Sequence, residues 1–93
     1  MPFSSIYNCN ERAVFDRVRE ASARFPELAG DDDLLADASC VALNALPAHY
    51  VRHAVDLSFH TSDTQRQKDA KAVSDAVESA LKLILSRRLA RDR

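Results

Sequence analysis

The stretch DASCVALNALPAHY, residues 37–50, joins an apolar helix-forming run to a Leu-Pro step and an extended segment. Pro47 cannot continue a helix and disfavours helical geometry at Leu46, so the chain is predicted to turn there. At about 100° per residue, the apolar residues before this turn fill one broad arc, whereas Leu43 points almost opposite to it. The arc consists of Leu34, Leu35, Ala38, Val41, Ala42 and Ala45. A helix that is apolar on two sides is typical of a central or interface helix.

Acidic residues mark the start of this predicted helix. Asp31, Asp32 and Asp33 supply a cap and negative charge where the helix dipole is positive. Asp37 and Asn44 lie two turns apart, within roughly 20° of each other, at the edge of the apolar arc. These two side chains are therefore placed to contact one partner together.

A first helix is predicted from Asn10, a favoured N-cap residue, to the residue before Pro26. Its apolar residues recur at the spacing of one helix face, and they are Val14, Val18, Ala21 and Phe25. The segment that follows, residues 27–32, contains the only glycine and is predicted to be a surface connection. Residues 1–9 are predicted to form an arm with a short turn.

An alternation of period two follows the proline turn. Val51, Val55, Leu57 and Phe59, with His53 on the same side, alternate with Arg52, Ala54, Asp56, Ser58 and His60, which predicts a short half-buried strand. No other segment alternates convincingly. Either the strand pairs with its symmetry mate across a dimer axis, or it is an extended packed segment, and we favour the second.

The longest helix is predicted to begin after Ser62, which forms a capping box with Gln65, and to end at about Leu89. Its apolar stripe is Ala70, Val73, Val77, Ala80, Leu81 and Ile84. The arginines at its end, Arg87, Arg88, Arg91 and Arg93, lie where the helix dipole is negative, which favours a role in helix stability and solubility. We predict a mainly α fold, with three principal helices and a short extended or β segment before the long C-terminal helix, in a single domain over residues 1–93.

Composition and size exclude several classes of protein. A formal net charge of −1 and a pI near 6.3 do not predict binding to nucleic acid or to a membrane surface. No apolar run approaches the roughly 20 residues that span a bilayer, so we expect a cytoplasmic protein. A chain of 93 residues buries a modest fraction of its surface on folding, and we expect a homodimer.

The side chains do not predict catalysis or metal binding. His49, His53 and His60 share no helix face, because the proline turn and the strand interrupt it. Cys9 and Cys40 form no metal-type pair, and both are expected to be thiols. We therefore predict that the chain is not an enzyme and uses no metal or other cofactor.

The central stretch resembles the core motif of the late-competence ComFB family, in which Asp precedes Ala-Leu-Asn, Leu-Pro and Tyr-Val. The matching residues are Asp37, Ala42, Leu43, Asn44, Leu46, Pro47, Tyr50 and Val51. Asn8, Glu11 and Val14 are similar to the family's opening, while Ala48 replaces its usual second proline. Some members carry cysteines just ahead of the motif's Asp that look metal-binding. Leu34 and Leu35 stand in that region here.

The resemblance implies a small, helical, homodimeric regulatory protein, similar to receptors for cyclic dinucleotides that pass a signal to a protein partner. Cyclic di-GMP or cyclic di-AMP would offer phosphates to arginine, purine faces to tyrosine or arginine, and base edges to carboxylates and amides. The candidate ligand-binding residues are Arg12, Asp37, Asn44, Tyr50, Arg52 and Asp56.

Each candidate residue also has a structural role open to it. Asn44 would cap the helix end, Tyr50 would be a packed aromatic, and Asp37 would pair with Arg12 or Arg52. Arg52 and Asp56 would form a surface ion pair. The alternative function is a ligand-free interaction module that binds a partner protein through the faces that carry Leu43 and Leu83.

Overall fold

The structure, a computed structural model, describes residues 3–52 and 62–91, and within them the chain is mainly helical. In chain order the elements are β1 (Tyr7–Asn8), α1 (Asn10–Ala21), a 3-10 turn (Ser22–Arg24), α2 (Pro26–Ala29), α3 (Asp32–Ala45), β2 (Tyr50–Val51) and α4 (Asp63–Arg91). The predicted fold class, three principal helices with a short β segment before the long C-terminal helix, is confirmed.

The core lies where α1, α3 and α4 meet, and each of these helices contacts the other two. Its buried apolar side chains are Val14, Val18, Ala21, Phe25, Leu28, Ala38, Ala42, Val73, Val77, Ala80, Leu81 and Ile84. The predicted stripes of α1 and α4 are confirmed except at Ala70, which is exposed. With 29 residues, α4 is about 43 Å long and α3, with 14, only about 21 Å. Ala70 lies in the first turns of α4, before its buried stripe begins at Val73.

The first helix is shorter than its apolar spacing predicts. It ends at Ala21, and the 3-10 turn carries the chain to Phe25, which remains buried. Arg24 in that turn forms two hydrogen bonds with Glu78 of α4, Nη1 to Oε1 at 3.1 Å and Nη2 to Oε2 at 2.6 Å. These bonds lower the pKa of the Glu78 carboxyl, and they attach the end of the first helical segment to α4.

The prediction of a surface connection over residues 27–32 is wrong in part. Pro26 starts the short helix α2, as its fixed φ favours, and Leu28 within it is fully buried. Leu28 and Ala29, the two apolar residues between Pro26 and Gly30, are adjacent and show no helical periodicity, so the sequence pattern does not reveal this helix.

The acidic cap predicted for α3 is confirmed, because the Leu34 amide donates to Asp31 Oδ1 at 3.1 Å. Ala38 and Ala42 are fully buried, whereas Ala45 of the predicted arc is exposed. Ser39, outside the arc, is buried and its hydroxyl donates to the carbonyl oxygen of Leu35 at 2.9 Å. Further half-buried apolar residues, Leu34, Leu35, Val41 and Leu43, pack against the core from α3, as expected for a helix that is apolar on two sides.

The two short strands form an antiparallel ribbon, with Tyr7 opposite Val51 and Asn8 opposite Tyr50. Neither of the two alternatives for the predicted strand includes this contact with the N-terminal segment. The two residues of β1, Tyr7 and Asn8, are too few to show alternation in the sequence. Most of that predicted strand, residues 53–59, lies outside the described residues, so the favoured extended segment and the alternative of pairing across a dimer both remain untested.

At the start of α4, the Gln65 amide donates to Ser62 Oγ at 3.1 Å, which confirms the cap. The reciprocal half of a capping box is not formed, because the Gln65 side chain donates to Asp69 Oδ1 at 2.8 Å instead. None of the described helices is both long enough and apolar enough to cross a membrane.

Replacing Leu28 by Ala tests whether α2 belongs to the core. We expect Leu28→Ala to lower the free energy of unfolding by about 2–5 kcal/mol, because it removes fully buried methyl groups and leaves a cavity. Leu89→Ala, at an exposed position on α4, is the matched control and should change it by less than about 0.5 kcal/mol. Urea denaturation measures both. Equal, small changes would show that α2 contributes nothing to the core.

Candidate functional site

The Leu46-Pro47 step ends α3 and directs the chain back toward the N-terminus. Leu46 has φ −97° and ψ 146°, the extended geometry that a following proline favours, and its amide still donates to the carbonyl oxygen of Leu43 at 3.3 Å. We call residues 46–52, which include β2, the proline corner. The corner presents backbone polar groups that no helix can pair.

Two asparagines, Asn8 in β1 and Asn10 at the start of α1, form hydrogen bonds with backbone groups of the corner. Asn10 Nδ2 donates to the Pro47 carbonyl oxygen at 2.9 Å. Asn8 Oδ1 accepts from two backbone amides, those of Asn10 at 3.1 Å and His49 at 3.3 Å. The Cys9 amide donates to the His49 carbonyl oxygen at 2.8 Å. The proline corner is therefore fixed to the beginning of the first helix from both sides.

The roles of these asparagines differ from those predicted. Asn10 is the first residue of α1 rather than its N-cap, and the cap position is occupied by Cys9, whose side chain makes no capping bond. The N-terminal segment packs on the corner through Asn8 and Asn10. The Asn-x-Asn spacing ahead of the helix is the one sequence signal for this contact, and amide side chains have both a donor and an acceptor to offer.

Tyr50 and Arg52 are the candidate residues that lie on the corner itself. Tyr50 is 65% exposed, which excludes the packed-aromatic role, and Arg52 is exposed. Arg52 follows β2 directly, at a bend in the chain two residues after Tyr50. Within residues 3–52 and 62–91, neither side chain forms a hydrogen bond or an ion pair.

The other candidates that the structure describes lie on the helices and do not contact one another through hydrogen bonds or ion pairs. Asn44 is exposed in the last turn of α3, and its side chain caps nothing in the described part of the chain. The side chain of Arg12 is 92% exposed and reaches Asp16 at 4.0 Å, so it does not pair with Asp37. Asp56 lies outside the described residues. No hydrogen bond or ion pair joins any two of the candidates that the structure describes.

Asp37 lies in a different place, a groove between α3 and α4 with a volume of about 550 Å³. The groove is lined by Asp31, Leu34, Asp37, Cys40, Val41, Ile84, Arg87, Arg88 and Arg91. Arg88 Nη1 lies 3.5 Å from Asp31 Oδ2, which links the C-terminal end of α4 to the N-terminus of α3. We call this the arginine groove, since the arginines predicted to stabilise the helix end form one of its walls.

A second, mostly apolar groove of about 530 Å³ lies between α1 and α3. It is lined by Phe15, Val18, Arg19, Asp32, Leu35, Ala36, Ser39, Cys40 and Leu43. Phe15 is 49% exposed and was not predicted as a functional residue, because it stands beside the stripe of α1 and not in it. We call this the apolar groove.

The two thiols differ in their surroundings. Cys9 is half-buried, and burial raises the pKa of its thiol, with the nearby charge of Asp69 acting in the same direction. A raised pKa disfavours the nucleophilic thiolate at neutral pH. Cys40 is an exposed free thiol. Among the described residues, no group of three His, Cys, Asp or Glu side chains is placed to hold a metal ion.

Residues 7–88 match the family of the late competence development protein ComFB. The chain belongs to the ComFB family. The match begins at β1 and ends within α4, so it includes the ribbon, the proline corner and most of both grooves. ComFB is not a known enzyme family. No curated protein and no solved structure matches this chain.

Replacing Asn10 by Ala tests whether its side chain holds the proline corner. We expect Asn10→Ala to lower the free energy of unfolding by about 0.5–1.5 kcal/mol, because the Pro47 carbonyl loses its donor. Amide hydrogen exchange at Cys9 and His49 should accelerate. Asn44→Ala is the control, since that side chain makes no hydrogen bond among the described residues. Identical exchange in the two variants would contradict the role given to Asn10.

Proposed function

We propose that this ComFB-family protein is a homodimeric receptor for a cyclic dinucleotide, cyclic di-GMP or cyclic di-AMP, and that it passes the bound state to a protein partner without catalysing a reaction. The ligand binds at the proline corner. The observation that carries the proposal is the exposure of Tyr50 and Arg52 on a backbone that Asn8 and Asn10 hold in place.

The exposed side chains at the corner suit the chemistry of such a ligand. A purine ring stacks on the face of Tyr50, and the guanidinium of Arg52 binds a phosphate with two parallel hydrogen bonds. Asn44, in the last turn of α3, supplies a donor and an acceptor for a base edge. Arg12 in the first turn of α1 adds a second positive charge near the same end of the fold.

The fixed backbone of the corner favours binding. A binding loop that is ordered before the ligand arrives loses less conformational entropy on binding. Here four hydrogen bonds engage five backbone groups, the amides of Cys9, Asn10 and His49 and the carbonyls of Pro47 and His49. Among the described residues, the side chains of Asn44, Tyr50 and Arg52 have no partner to release. Contact of a ligand with Tyr50 and Arg52 therefore breaks no hydrogen bond or ion pair within residues 3–52 and 62–91.

The shape of the fold supports dimerisation. Its smallest dimension is 19 Å, about two helix diameters, against 49 Å and 35 Å in the other directions. Large apolar side chains are exposed next to the ribbon, with Phe3 at 70%, and on α1 at Phe15. A two-fold axis beside the ribbon would cover such side chains and bring two copies of Tyr50 and Arg52 together. That arrangement matches the two-fold symmetry of a cyclic dinucleotide.

Ligand binding at the corner is tested by thermal unfolding with cyclic di-GMP or cyclic di-AMP. At about 100 times its Kd, the ligand should raise Tm by roughly 10 °C or more, since it stabilises the folded state by about 2.7 kcal/mol. Arg52→Ala should abolish the rise without lowering Tm in the absence of ligand, and Arg19→Ala, another exposed arginine, should retain it.

Light scattering on the same samples should give about twice the chain mass of 10.3 kDa. Folded protein that shows no shift with either ligand would refute the receptor function. If the ligand still raises the Tm of Arg52→Ala, the ligand does not bind at the proline corner. A mass near 10.3 kDa would exclude the dimer.

The apolar groove favours a second candidate function, an interaction module without a small ligand. Leu43 lines this groove together with the exposed Phe15, and Leu83 is exposed on α4. An amphipathic helix of a partner protein would place its apolar face in such a groove.

The interaction module is tested by affinity capture with the chain as bait. We expect a captured partner to be lost with Phe15→Asp and with Leu43→Asp, because both place a charge in the apolar groove, and to be retained with Leu89→Asp on α4. Circular dichroism checks that each variant is folded, which matters for Leu43 because it packs against the core. Equal capture by all three variants would exclude this groove as the binding surface.

A further inference from the structure

We propose that the arginine groove is a second binding site, separate from the proline corner, and that it binds a guanine nucleotide. Arg87 and Arg91 hold the phosphate, and Asp37 recognises the edge of the base. The proposal does not depend on the function assigned to the corner, because it rests on residues of α3 and α4 alone.

Among the described residues, the lining of the groove carries three arginines and two aspartates, and one ion pair joins them. Of its three arginines, Arg88 is engaged by Asp31. Arg87 and Arg91 are exposed, and within residues 3–52 and 62–91 neither has an ion-pair or hydrogen-bond partner. They are four residues apart on α4, so they share one face of the helix with about 6 Å of rise between them. Two guanidinium groups at this spacing can bind one phosphate from both sides.

Helix stabilisation alone does not account for this pair. The dipole of α4 favours positive charge in its last turn, which contains Arg88 and Arg91. Arg87 precedes that turn, and like charges at positions i and i+4 repel each other. An anion bound between Arg87 and Arg91 removes this repulsion. The groove is also of the size that small ligands occupy, since its volume of about 550 Å³ falls within the range of roughly 300–1,000 Å³.

The remaining wall of the groove is suited to a base. Asp37 is exposed and without a partner among the described residues, and apolar side chains of Leu34, Val41 and Ile84 line the same space. A carboxylate accepts hydrogen bonds from N1–H and the exocyclic amino group of guanine at the same time. Adenine presents an acceptor at N1, which faces a carboxylate unfavourably. Asp37 therefore selects guanine over adenine.

The two sites are built from different residues. Arg12, Asn44, Tyr50 and Arg52 do not line the arginine groove. Along α3, Asp37 precedes Asn44 by seven residues, which is about 10 Å of helix rise. A mononucleotide in the groove consequently leaves the corner free.

Isothermal titration calorimetry on the full chain with GMP, AMP and inorganic phosphate tests the proposal. We expect GMP to bind at least ten times more tightly than AMP or phosphate. Arg87→Ala and Arg91→Ala should each weaken GMP binding at least tenfold, and Asp37→Asn should bring the affinities for GMP and AMP within about twofold. Arg52→Ala should leave GMP binding unchanged. Circular dichroism confirms folding of these surface variants.

Three results would overturn the proposal. Absence of GMP binding removes the site, and equal binding of GMP, AMP and phosphate reduces it to adventitious anion binding. Loss of cyclic-dinucleotide and GMP binding together in Arg91→Ala, with both retained in Arg52→Ala, would show one site in the groove instead of two. If GMP binds as expected while neither cyclic dinucleotide does, the groove proposal stands and the receptor function fails.

Discussion

The fold depends on the end of α3 that Pro47 imposes. Proline disfavours the helical geometry of the residue before it and supplies no amide, so the chain leaves the helix with carbonyl and amide groups that need partners elsewhere. Asn10 donates a hydrogen bond to the Pro47 carbonyl oxygen, and Asn8 accepts one from the His49 amide. The start of α1 is thereby fixed against the end of α3, and the short ribbon of Tyr7–Asn8 with Tyr50–Val51 follows from that attachment.

Elements with several apolar residues at regular spacing could be predicted from the sequence. The stripe of α4 from Val73 to Ile84 and the Asp31 cap of α3 are as the pattern indicates. Features that depend on one or two residues could not be predicted from the sequence. Leu28 is a single buried side chain in a four-residue helix, and β1 exists only because the corner lies beside it. Such elements are specified by tertiary contacts and carry no periodic signal.

The candidate site was predictable in residue type but not in arrangement. The sequence indicates which side chains can bind a nucleotide, and it groups Asp37 with Tyr50 in one candidate site. The packing of α3 against α4 separates these two residues. Asp37 then lies in a groove with Arg87 and Arg91, which are 50 or more residues away in the sequence. In the sequence, the arginines at the end of α4 are explained by their stabilising effect on the helix dipole, and no binding partner is needed. The fold adds that α3 lies opposite them.

The length of α4 has an energetic consequence. All residues from 63 to 72 are exposed, so this part of the helix buries no side chain in the core. Within the described residues, its hydrogen bonds are local, namely the Ser62 cap and the i, i+4 contacts of Gln65 with Asp69 and Lys71 with Asp75. Short helices without tertiary packing are marginal in water. The first turns of α4 therefore resemble a peptide helix attached to a folded body, whose helix-coil equilibrium can change with sequence or solvent while the cooperative unfolding of the core does not.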